Sequence, residues 1–210
     1  MKRVIFLTCI AALSSTAADL NVTFYSGAGA DKGTVDATSI HLGSILRMAG
    51  FELRWTGKEA LPEYTVDFRA PAQTDAERKL QACRATSAIE ARLIPEAPAH
   101  FGSASVGYST PLSTGGVNVT IFYDRLRDTA TQRGISVNLL LAYALAHEIG
   151  HVLQRSTNHS PHGLMSEVWR TEEFDRIHTT SLTYGKSEVT RMQRTLARAD
   201  CEQGTVIAAK

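Results

Sequence analysis

The chain has 210 residues, a formal net charge of +1 and a hydrophobic content of 43%. Length and apolar content suffice for one domain with a sizeable core. The near-neutral balance excludes a protein that works through a concentrated basic face on nucleic acid or through attraction to an anionic membrane surface.

The N-terminus stands apart. Lys2 and Arg3 precede an apolar run from Val4 to Leu13, and the small residues Ser14, Ser15, Thr16, Ala17 and Ala18 follow. A basic start, a short apolar core and a small-residue end make the pattern of a secretory signal peptide, with a cut expected before Asp19. The run is well short of the roughly 20 residues that span a bilayer, and no later run is long enough either. Cys9 lies inside it, with too little apolar sequence upstream for a lipoprotein site. Residues 1–18 are therefore expected to be removed. Residues 19–210 are expected to form one exported domain, secreted or periplasmic, without a membrane span. Loss of Cys9 leaves Cys83 and Cys201. An even pair in an exported chain suggests a disulfide, the alternative being two buried free thiols.

Leu20 to Tyr25 alternates apolar and polar residues with β-branched and aromatic types, the mark of a strand. Gly27, Gly29 and Gly33 make a loop that lacks the spacing and the Lys-Ser/Thr pair of a phosphate-binding loop. A helix capped by Asp36 or Thr38 is expected to run to about Ala49. Ile40, Ile45, Leu46 and Met48 form its apolar face and Gly50 stops it. His41, with no partner at ligand spacing, is expected at the surface. Phe51 to Trp55 and Thr65 to Arg69 alternate as further strands. Asp75 to Leu93 is charged and Ala-rich and is expected to be partly helical. Between Pro95 and Gly116 only Ser105 to Tyr108 looks strand-like. A segment of that length is either an ordinary connection or the rim of a cleft.

Val117 to Tyr123 gives the strongest strand pattern, ended by Asp124-Arg125; a short polar helix from Leu126 to Gln132 stops at Gly134. Ser136 then caps a helix that is almost wholly apolar to Ala146, which marks it as buried. After Met165 come the apolar residues Val168, Trp169, Phe174 and Ile177, then a helical pattern from Ser187 to Arg198. The alternation of strands and helices predicts an α+β fold with an α/β-like N-terminal part and a partly parallel sheet.

The buried helix leads into His147-Glu148-Ile149-Gly150-His151. On a helix the two histidines are i and i+4, so both imidazoles leave one face about one turn apart. Two nitrogens so placed can reach one zinc ion, and a catalytic zinc takes three protein ligands with one open position. Glu148 flanks the same face, where a carboxylate can accept a proton from an attacking water. Gly150 allows close packing against the helix. Ser156, Thr157 and Asn158 are turn formers, so the helix is expected to end near Leu153 or Gln154. The chain can then return with His159 as third ligand. His162 competes for that role, as do Glu167, Glu172 and Glu173.

His147-Glu148-Ile149-Gly150-His151, with His159-Ser160-Pro161-His162-Gly163-Leu164-Met165 after it, resembles the metzincin clan of zinc metallopeptidases. Within the clan it is similar to exported bacterial matrixin-like members. The resemblance implies a twisted mixed sheet with an active-site helix and a C-terminal helix. It implies a single Zn2+ on His147, His151 and His159, Glu148 as general base, and Met165 as an apolar floor beneath the metal. It also implies a monomeric endopeptidase that takes an extended peptide along the strand near Ser105 to Tyr108. The clan's usual spacing puts the third histidine six residues after the second, whereas here it is eight, and Gln154 stands where a glycine is usual. Ser166-Glu167-Val168-Trp169 follows the methionine where the clan often has tyrosine, and Tyr184 is too far along the chain to take over that role. Two other readings compete: a non-catalytic zinc module with His162 as fourth ligand, and a zinc hydrolase of non-peptide amides.

Overall fold

Five strands and five helices lie among the residues that the computed structural model describes, which are 17–27, 29–59, 88–102, 105–110 and 117–206. The strands are β1 (Ala18–Tyr25), β2 (Phe51–Lys58), β3 (Ala88–Ile94), β4 (Gly107–Ser109) and β5 (Val119–Phe122). The helices are α1 (Lys32–Met48), α2 (Tyr123–Arg133), α3 (Val137–Gln154), α4 (Thr171–His178) and α5 (Lys186–Val206). The strands form one mixed sheet in the order β2-β1-β3-β5-β4. β1, β2, β3 and β5 run parallel to their neighbours, and β4 closes one edge antiparallel to β5. This is the α+β fold expected, with its α/β-like N-terminal part.

The core lies between the sheet and the helices α1 and α3, which pack on each other. Leu20, Val22 and Phe24 of β1, Ile89, Ala91 and Leu93 of β3, and all four residues of β5 are buried. Central parallel strands covered by helices are apolar for this reason. Ala142 and Leu145 of α3 are fully buried, as expected for a helix without a polar face.

Several elements differ from expectation. α1 begins one turn early, because the Asp31 carboxylate accepts from Thr34 N at 2.6 Å and caps it. Asp36 lies inside the helix and pairs with Lys32. Gly50, with φ of 83°, stops α1 as expected. β2 runs on to Lys58. The described end of the Ala-rich segment is strand, and the rest of it lies outside the described residues. In Ala88–Ile94 the buried residues Ile89, Ala91 and Leu93 alternate with Glu90 and Arg92, and the backbone pairs with β1 and β5. Asp124-Arg125 does not end a strand but starts a helix: β5 stops at Phe122 and α2 begins at once. Val168 to Ile177 contains α4, where Arg170 N donates to Glu173 Oε2 at 2.9 Å. The expected strand at Thr65 to Arg69, Cys83 with the side chain of Cys201, and most of the signal segment lie outside the described residues. No helix among the described residues is long and apolar enough to cross a membrane.

Candidate metal centre

α3 ends where three imidazoles converge. His147 and His151 leave it one turn apart, and the loop that follows returns with His159. Their ligand atoms all lie within 4.8 Å of one another. His151 Nε2 is 3.1 Å from His147 Nε2 and 3.2 Å from His159 Nε2. Nitrogens bound tetrahedrally at zinc distances stand about 3.3 Å apart, so the observed spacing suits one ion.

The protonation pattern also suits one. His147 Nδ1 donates to the Leu164 carbonyl and His151 Nδ1 to the Ser156 carbonyl, each at 2.8 Å. These bonds set the tautomer and leave each Nε2 lone pair facing the shared centre. Burial, with smaller contributions from the neighbouring imidazoles, lowers His147 from 6.5 to about 4. Burial lowers His151 as well. Both are therefore neutral, the form that binds a metal.

The longer turn solves its geometry without a glycine. Arg155 takes the left-handed conformation, φ 49° and ψ 43°, and ends α3. Ser156 N then donates to His151 O at 3.2 Å, and Asn158 N to Ser156 Oγ at 3.1 Å. Ser160 N donates to Met165 O at 2.8 Å and closes the loop against the next turn.

Glu148 is 7% exposed beside the cluster. Burial raises its carboxyl from 4.5 to about 7, against an opposing hydrogen bond from the Ser109 hydroxyl. Ser109 belongs to β4, so the sheet edge reaches the carboxylate directly. That edge strand lies two residues later than the stretch expected from Ser105 to Tyr108. Met165 is buried beneath Gly150, and Tyr184 lies beside it. The Tyr184 hydroxyl donates to Ala146 O at 2.5 Å, and burial pushes its pKa up.

The competing ligands stand elsewhere. His162, Glu167 and Glu172 are exposed and outside the cluster. The Glu173 carboxylate accepts from Gly163 N at 3.3 Å and Arg170 N at 2.9 Å. His41 is half-buried on α1, away from the cluster. Sequence reasoning missed Ser109, the Leu164 carbonyl and Trp169. Trp169 Nε1 donates to that same carbonyl at 3.1 Å, and its ring meets His147 edge-on at 5.9 Å. A main-chain acceptor leaves no mark in a sequence.

Fold and site together define an α+β domain whose central helix and following loop present a three-imidazole donor set beside a buried carboxylate. No protein-family model matches the chain, and no curated protein does so by sequence. Among solved structures it is similar in fold to a zinc-dependent peptidase from Methanocorpusculum labreanum. The TM-score is 0.53 at 15% identity, covering 81% of this chain and 99% of that one. Archaemetzincin from Methanopyrus kandleri aligns with a TM-score of 0.49 at 20% identity, covering 90% of this chain and 99% of that one.

Proposed function

We propose that the chain is an exported zinc-dependent endopeptidase of metzincin type, with residues 1–18 as signal peptide and 19–210 as a single, monomeric catalytic domain. One observation carries this reading: three imidazoles converge on one centre, and a buried carboxylate stands beside them. The fold likeness to a protein described as a zinc-dependent peptidase supports it.

His147, His151 and His159 would hold the ion, with Met165 as the methionine turn beneath it. When bound, zinc supplies a Lewis acid that polarises the scissile carbonyl and acidifies water. Glu148 takes the proton from the attacking water and passes it to the leaving nitrogen. Its value of about 7 in the metal-free chain suits a group that must both accept and release a proton, and a cation nearby favours the ionised, basic form. Among the described residues β4 is the outermost strand of the sheet, and an extended substrate can pair along its outer side.

The test is Glu148→Ala. It should retain one zinc per chain and lose cleavage of a denatured protein substrate; full cleavage in that variant removes Glu148 from the mechanism. The non-catalytic reading needs a fourth protein ligand, and His162 stands outside the cluster.

A further inference from the structure

His147 and His151 are fixed by a buried helix, whereas His159 is an exposed residue of an irregular loop. Something other than secondary structure must hold it. The residue after it, Ser160, is tied down twice. Its N–H donates to Met165 O at 2.8 Å, and its hydroxyl donates to Glu188 Oε1. Glu188 stands in the first turn of α5 and is 3% exposed. Its other oxygen accepts from Gly185 N at 2.6 Å.

A buried carboxylate is unfavourable unless its oxygens find donors. Capping α5 occupies one oxygen of Glu188, and the other is committed to the residue beside His159. A hydroxyl that donates to a buried carboxylate makes a directional contact, and outer partners of this kind fix the orientation of metal ligands. We propose that Glu188, acting through the Ser160 hydroxyl, is the positioning residue that holds His159 at the metal centre. This rests on the reading of His159 as a metal ligand.

The experiment measures zinc affinity of the full chain by competition with a chromophoric chelator, alongside the thermal midpoint of the metal-free form. Ser160→Ala should weaken zinc about tenfold or more, the scale of lost outer-partner bonds, and should also lower the metal-free midpoint, because one oxygen of buried Glu188 loses its donor. Ser160→Thr keeps a hydroxyl and should restore affinity. Glu188→Gln keeps the shape and should weaken zinc as Ser160→Ala does, with no further loss in the double variant. His159→Ala separates the two ideas. If it weakens zinc while Ser160→Ala and Glu188→Gln do not, the positioning role is overturned and the ligand stands. If His159→Ala leaves affinity unchanged, the ligand reading fails and the positioning role fails with it. A fall in the metal-free midpoint of Ser160→Ala that Ser160→Thr does not repair, with affinity intact, makes the contact merely structural and overturns the proposal.

Discussion

Met165 occupies the space that any side chain at Gly150 would need. A Cβ built there overlaps the Met165 sulfur and stands 2.9 Å from Tyr184 Cε1. Gly150 lies between Glu148 and His151, so the helix that carries the site rests directly on the methionine. Gly150→Ala should destabilise the fold by about 1–3 kcal/mol through overpacking and weaken zinc by displacing Met165 or the helix. Denaturant unfolding and zinc titration check both. An unchanged midpoint and affinity would mean that the floor yields freely.

The metal-free protein should lose stability in acid through His147. Its pKa is lowered to about 4, so its contribution is present above the ordinary value of 6.5 and is lost as pH falls through about 4. Glu148 has the opposite sign. Raised to about 7, it contributes below 4.5 and loses that contribution as pH rises through 7. Thermal midpoints of the metal-free chain across pH 4–8 should therefore show a shallower acid slope in His147→Gln and a smaller neutral-range decline in Glu148→Gln.

Trp169 should report on the metal. Its ring is 5.9 Å from that of His147, and both donate to the Leu164 carbonyl. The chain has two tryptophans, so Trp55→Phe isolates the signal. Zinc added to that variant should change its fluorescence at the stoichiometry of binding. A silent titration with zinc bound would contradict the contact.

Glu173 anchors the turn at Gly163 from α4. Burial pushes its carboxyl up, but hydrogen bonds from Arg170 and Gly163 N–H prevail and hold it below the usual value. Glu173→Ala should cost about 1.5–3 kcal/mol, the range for hydrogen bonds to a charged group. Denaturant unfolding at pH 7 measures it. In the parent, the contribution of Glu173 is present above the ordinary carboxylate value and is lost as pH falls through the depressed one.

What was legible in the sequence followed local periodicity. β1, β5 and α3 carry apolar patterns that leave one assignment, and i, i+4 spacing placed His147 and His151 on one face before any coordinates. β3 is not legible locally, because Ala, Glu, Arg and Leu favour helix, whereas pairing to β1 and β5 decides in favour of strand. The start of α1 was misjudged because Asp31 and Asp36 are equally good caps on paper, and Gly33 between them argued against a helix. At the site, the partners that could not be read are distant ones. Ser109 reaches Glu148 from 39 residues upstream, and Ser160 meets Glu188 from 28 residues away, joined only by the fold.

That last separation sets an order of events. A nascent chain that has released residues up to 160 already holds all three imidazoles, but not the carboxylate that steadies the third. Synthesis must run to the start of the final helix before the loop can be pinned. On the proposed reading, metal capture in its finished geometry falls among the last steps of maturation, after the start of the final helix has docked.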